Sequence, residues 1–178
     1  MDIIVLLTTF FLTVFFDLIL AIEIGMILSS FLFMKRMSEA TTINDAENLF
    51  AESASNGETM FEEELPYIPI DTMLYEINGP LFFGASQKFQ DVLTELKQKP
   101  KVLIIRMRHV PFIDATAMNS LKEFHHKLQS SGTGIILSGV NPQVKEELHK
   151  SGPYSILGEN NILENIHKAI LRAEEVSK

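Results

Sequence analysis

Residues 3–34 are overwhelmingly apolar, and the only charges among them are Asp17 and Glu23. A straight helix of that length would extend ~48 Å at ~1.5 Å per residue, well beyond the ~30 Å hydrocarbon core of a bilayer. A break is therefore expected at Asp17, leaving 3–16 and 18–34 as two segments, each short for a full span. Lys35-Arg36 follows, and the excess of basic residues on the inner side of membranes predicts that the rest of the chain is cytoplasmic. A cleaved signal peptide would begin with the basic residues and end at small ones, and here the basic pair stands at the opposite end. Asp17 and Glu23 are costly in lipid, so both should face protein or water, which requires neighbouring helices.

Residues 38–64 change character abruptly. Glu39, Asp45, Glu47, Glu52, Glu58 and Glu62-Glu63-Glu64 are scattered among small polar residues, and Ser53-Ala54-Ser55-Asn56-Gly57 reads as a flexible middle. This is an acidic linker, its start able to continue the membrane helix. Its charge suits either a spacer repelled by anionic lipid or a solvated connection whose only property is length.

From residue 65 strand and helix patterns alternate. Met73-Leu74-Tyr75-Glu76-Ile77 and Leu81-Phe82-Phe83 read as strands joined at Asn78-Gly79-Pro80, because Gly-Pro marks a turn. A helix follows from Ser86 with Phe89, Val92, Leu93 and Leu96 on one face, and Pro100 closes that element. Val102-Leu103-Ile104-Ile105 is the continuous apolar run that a strand covered on both faces needs. In Val110-Pro111-Phe112-Ile113-Asp114-Ala115-Thr116-Ala117 strand then gives way to helix through one acid and one hydroxyl. Asp114 is placed to accept hydrogen bonds from the free N–H groups of the next helix, and Thr116 falls in its first turn. Ala117, Leu121, Phe124 and Leu128 form that helix's apolar stripe, which ends near Ser131-Gly132. Gly134-Ile135-Ile136-Leu137 is the next buried strand. Asn141-Pro142 supplies a cap and a first-turn proline for a short helix with Val144 and Leu148 inward. Asn161 and Glu164 resemble a capping box for a last helix whose inward face is Ile162, Ile166, Ala169, Ile170 and Ala173. The fold class is α/β, a predominantly parallel or mixed sheet packed by amphipathic helices.

Charge sharpens this division. Residues 1–37 carry −1, residues 38–64 carry −8 and residues 65–178 carry +1, which together make the net −8. The folded part is almost neutral and offers no basic field to attract nucleic acid. With no cysteine there are no disulfides and no thiolate metal sites, which suits a reducing compartment.

Candidate chemistry is sparse. Gly79-Pro80-Leu81-Phe82-Phe83-Gly84-Ala85-Ser86 has the glycine and serine spacing of a phosphate-binding loop, but Ala85 stands where the lysine belongs. His125 and His126 are adjacent and so diverge on a helix, unlike a metal pair at spacing three or four. His109, His149 and His167 each stand alone near element ends, as solvated histidines do. Arg106, Arg108 and His109 form a small basic cluster suited to an anionic partner or to simple solvation. No nucleophile–base pairing or carboxylate dyad is visible, so no enzyme activity and no cofactor or metal are expected. Asp114 and Thr116 remain as the candidate phosphoacceptor or partner-binding motif.

Two stretches resemble one family. Thr13-Val14-Phe15-Phe16-Asp17-Leu18-Ile19-Leu20-Ala21-Ile22-Glu23-Ile24-Gly25 is similar to the last membrane segments of SulP anion transporters, the sulfate permease group. Residues 67–175 resemble the STAS domain that those transporters carry on the cytoplasmic side, with Tyr75-Glu76-Ile77-Asn78-Gly79-Pro80-Leu81-Phe82-Phe83-Gly84 matching its opening strands and Phe112-Ile113-Asp114-Ala115-Thr116-Ala117 its motif. The resemblance implies terminal transmembrane segments (1–37), the acidic linker (38–64) and a STAS-like domain (65–178). It also implies a place in the inner cell membrane, with lipid, the remaining transporter helices and a protein that reads the STAS domain as partners. The full transporter would be a homo-oligomer. In anti-sigma factor antagonists that share the domain, the second residue after the motif aspartate is phosphorylated, which here is Thr116. Ala115 replaces a frequent hydroxyl and Ala117 a frequent glycine. Because the anion-binding helices of SulP proteins lie earlier than anything here, this chain alone is not expected to transport. The competing expectation is a membrane-tethered protein-binding switch centred on Thr116, and a nucleotide hydrolase is third.

Overall fold

The computed structural model describes residues 2–45, 68–82, 84–96 and 99–177. Residues 46–64 of the expected acidic linker, with its Ser53–Gly57 middle, and Phe83 of the expected second strand lie outside them. The chain divides into two compact units, Met1–Ala40 and Thr41–Lys178.

The first unit is a helical hairpin of α1 (Asp2–Phe15) and α2 (Leu18–Ala40), broken at Phe16-Asp17 as expected. α2 continues through Lys35-Arg36 into the start of the acidic stretch, as the sequence allowed, but its Leu18–Met37 stretch is not short for a span: it is long and apolar enough to cross a membrane. Nothing in Met34-Lys35-Arg36-Met37 breaks a helix, so the apolar run ended before the helix did. α1 stays short. The two helices pack through small residues. Ala21 and Gly25 are buried, and a Cβ on Gly25 would lie 2.5 Å from Thr9 Cγ2. Thr9 Oγ1 donates to the carbonyls of Val5 and Leu6, which fixes its rotamer with the methyl toward α2.

In the second unit β1 (Thr42–Asp45), β2 (Thr72–Asn78), β3 (Val102–His109), β4 (Gly134–Ser138) and β5 (Ile162–Leu163) form one sheet in the order β1-β2-β3-β4-β5. β1 pairs antiparallel with β2 and the other pairs are parallel. β1 lies inside the stretch read as linker. Its polar Thr42-Ile43-Asn44-Asp45 carries one apolar side chain, Ile43, which packs against the core beside its register partner Ile77, so no alternation betrayed it. It also takes the place expected for Leu81-Phe82-Phe83 beside β2. Leu81 makes only a single parallel bridge to Ile113, after a turn at Gly79 (φ 100°) and Pro80, which has no N–H to pair.

Helices α3 (Ala85–Glu95), α4 (Ala115–Ser130), α5 (Pro142–Ser151) and α6 (Pro153–Leu157) contribute to the larger core, and α7 (Ile166–Ser177) to the smaller one. Strand alternation sorts the side chains accordingly. Tyr75, Ile77, Leu103, Ile105, Met107, Ile135 and Leu137 meet Phe89, Leu121 and Phe124 on one face, while Leu74, Val102, Ile104 and Ile136 meet Ile166, Ala169, Ile170 and Ala173 on the other. The uninterrupted apolar run of β3 is thus covered on both sides. Full burial of a side chain such as Phe124 stabilises by ~1.5–3 kcal/mol. The cap of α7 corrects one expectation: Asn165 Oδ1 accepts from Lys168 N at 2.9 Å, while Asn161 donates to the Leu157 carbonyl and Ile162 belongs to β5. A short 3₁₀ turn and a two-residue strand intervene before the helix begins.

Candidate functional site

The junction from Val110 to Ala117 leaves the C-terminal end of β3, and hydrogen bonds stitch it to its neighbours. Leu81 N donates to the Phe112 carbonyl at 3.1 Å and Asp114 N to the Leu81 carbonyl at 3.0 Å. Asn141 joins it from the next crossover. Its Oδ1 caps α5 by accepting from Val144 N at 2.8 Å, while its Nδ2 donates to the Val110 carbonyl at 2.7 Å. One side chain thereby ties the start of α5 to the loop before α4. Phe82 and Phe112 pack edge to face at 4.7 Å beside it.

Asp114 caps α4 as its position required: extended backbone at φ −91°, ψ 171°, with Oδ1 accepting from Ala117 N at 2.7 Å. Ile113 and Ala117 point into the core, so the first turn is held from beneath. Thr116 is exposed on this fixed platform, and its carbonyl accepts from Ser120 Oγ at 3.0 Å. The two candidate residues are therefore together, one serving the helix backbone and the other turned to solvent.

The expected basic cluster is divided. Arg106 is buried rather than solvated, because β3 and β2 place it directly beside Glu76 in register. Arg106 Nε lies 3.9 Å from Glu76 Oε1, with both side chains almost fully enclosed. His109 Nδ1 lies 2.8 Å from Asn78 Oδ1 and 3.3 Å from Glu76 Oε1. It is engaged rather than solvated, although its side chain is half exposed. Arg108 is exposed. The Glu76–Arg106 pair escaped sequence reading, although part of the signal was present: Glu76 is the one charge of β2 and Arg106 stands between the apolar Ile105 and Met107 of β3, and buried charges on neighbouring strands need to meet.

Of the other histidines, His167 is exposed as expected. His125 is buried, and its Nδ1 has no hydrogen-bond partner among the described residues. Burial first, and the neighbouring His126 second, push its pKa below the usual imidazole value. His149 stacks on Tyr154 with centroids 3.3 Å apart. Among the described residues no group of three potential ligands is placed to hold a metal ion. Three amides of the loop with phosphate-binding spacing are committed: Gly79 N donates to the His109 carbonyl, Leu81 N to Phe112 and Ala85 N to Phe82. A cradle needs those N–H groups free. Asp17 lies in the break of the hairpin and Glu23 within α2, both exposed.

A mixed sheet with its helical crossovers on one face and a capped strand-to-helix junction at its C-terminal end is the architecture of one known domain. Residues 66–169 match the STAS domain family model, and the chain belongs to that family. Among the proteins it resembles are SulP-type transporters. It is 32% identical over 165 residues to a putative sulfate transporter of Bacillus subtilis, YvdB, an alignment that takes in 92% of this chain and 29% of that protein. The chain thus spans less than a third of the relative's length. A sulfate transporter family protein from Wolinella succinogenes is 39% identical with a TM-score of 0.60, covering 63% of this chain and 92% of that one. The murine anion transporter Solute Carrier 26 family member A9 shares the fold over 98% of this chain and 28% of its own, with a TM-score of 0.71 at 16% identity.

Proposed function

We propose that this chain is the C-terminal part of a SulP-type secondary transporter of sulfate-like anions: closing membrane segments over 1–37, an acidic connection over 38–64 and a cytoplasmic regulatory STAS domain from 65. One observation carries this. The similarity to YvdB takes in 92% of the chain, so it cannot be confined to the STAS domain and must include at least part of the apolar hairpin. The alternation of broken apolar helix, basic pair and α/β domain supports the same order of parts. Among the described residues the apolar segment forms only the α1–α2 hairpin, fewer helices than the repeats that frame an anion site between broken helix ends in secondary transporters. The chain therefore does not transport alone. Reconstituted into liposomes by itself, it gives sulfate uptake equal to protein-free vesicles; uptake above that level would overturn the assignment of its role. Within the STAS domain, Asp114 holds the first turn of α4 and Thr116 is the position that a kinase or a partner protein reads. Phosphate found on Thr116 in cells, with partner capture that differs between Thr116→Glu and Thr116→Ala, is the expected outcome.

A further inference from the structure

Glu23 is the one charge of α2 before Lys35. We propose that it docks α2 onto a separate membrane helix that carries one basic side chain at the same depth, a partner that rests on the transporter reading above. Ala21, Gly25, Leu28 and Leu32 recur every three or four residues and are buried or half-buried, so they mark the side of α2 packed on α1. Glu23 lies two residues from both Ala21 and Gly25, about 200° around the helix at ~100° per residue, and so points away from the hairpin. Its neighbours on that side, Ile19, Met26 and Ile27, are exposed too. Five residues separate Glu23 from Leu18, ~7.5 Å along the axis, which sets it inside a ~30 Å hydrocarbon core that begins at Leu18. A carboxylate is costly there, and its side chain lacks the long stem with which Lys or Arg reaches the interface. Among the described residues it makes no hydrogen bond or ion pair.

The complement has to come from outside this hairpin. Residues 1–34 contain no Lys, Arg or His, and the first base, Lys35, lies twelve residues on, ~18 Å along the helix. A second copy of the chain brings only another glutamate to this depth, so like charges would meet. Asp17 differs, because it stands in the break before α2 and outside a core that begins at Leu18. A base opposite Glu23 neutralises it where the low dielectric makes the attraction strong, the pairing by which acids persist within membranes.

The chain has no cysteine, so Ile27→Cys, one turn beyond Glu23 on the same face, reports a neighbouring helix by disulfide formation. The full chain with this change is reconstituted into phosphatidylcholine vesicles with a synthetic transmembrane helix of leucine and alanine. That helix bears either a lysine or a leucine five residues from its end, and a cysteine one turn further in. After mild oxidation the lysine helix is expected to cross-link ~10-fold more than the leucine helix, the scale of one interhelical polar contact. Glu23→Leu brings the two to parity, Asp17→Asn keeps the preference, and Leu28→Cys in place of Ile27→Cys shows no dependence on the lysine. Equal cross-linking of both helices by the chain with Glu23 assigns the carboxylate to a water-lined path and overturns the proposal. So does a lysine preference that survives Glu23→Leu, one lost as fully in Asp17→Asn, or one equally strong at Leu28→Cys. A chain that does not float with the vesicles would instead remove the membrane reading beneath the proposal.

Discussion

Replacing Asp114 tests whether the motif acid serves the helix or something else. In the structure its Oδ1 accepts from Ala117 N at 2.7 Å, and its charge stands at the positive end of the sixteen-residue α4. Asp114→Ala removes both contributions: ~1 kcal/mol for the cap and about 0.5 kcal/mol for the charge at a half-buried helix end. Asp114→Asn keeps the acceptor and loses only the charge, so it costs about 0.5 kcal/mol. At ~4 °C per kcal/mol for a domain of this size, the midpoint falls by ~6 °C and ~2 °C respectively. Circular dichroism on the full chain in detergent reads the midpoint, and hydrogen exchange at the Ala117 amide reads the cap directly. That amide should exchange fast in the alanine variant and slowly in the asparagine variant. Asparagine as damaging as alanine would show that the carboxylate charge, not the cap, is what the position needs. No change with alanine would refute the capping role altogether.

Other expected outcomes follow from the same geometry. Arg106→Met leaves Glu76 buried without its cation and should cost ~3 kcal/mol or more by urea denaturation, while the double variant with Glu76→Leu recovers most of the loss. Gly25→Ala drives a methyl into Thr9 Cγ2 and should loosen the hairpin by ~1–3 kcal/mol, read as faster exchange of α1 amides, and Thr9→Ala should restore it. His125 has a folded pKa below its unfolded value, so the unfolded chain takes up the proton first: stability is complete above about pH 6.5 and falls as pH drops below it. His125→Gln should flatten that part of the stability profile, and an unchanged profile would show that another group titrates there.

Periodicity carried most of the fold because burial here is regular. The four-residue run Val102-Leu103-Ile104-Ile105 had to be covered on both faces, and Asp114 and Asn141 had to cap what followed them. The misreadings share a cause: local pattern was overridden by tertiary pairing. Thr42–Asp45 pairs through its backbone and one isoleucine, Leu81 turns away from β2 because the junction offers it a partner, and Asn165 caps α7 after a two-residue strand no pattern could reveal. The local geometry of Asp114 and Thr116 was legible in the sequence, and their surroundings were not. The Glu76–Arg106 contact and the double role of Asn141 depend on which strands and crossovers become neighbours, information absent from spacing within any one of them.

The most direct measurement is the location of the STAS domain relative to the membrane. The chain has no cysteine, so Ser131→Cys, in the exposed turn after α4, introduces a single thiol. In cells expressing this variant, an impermeant maleimide should leave it unlabelled until the membrane is opened, with the protein retained in the carbonate-washed membrane pellet. Labelling of intact cells, or protein in the soluble fraction, would contradict an apolar hairpin anchoring an inward-facing STAS domain.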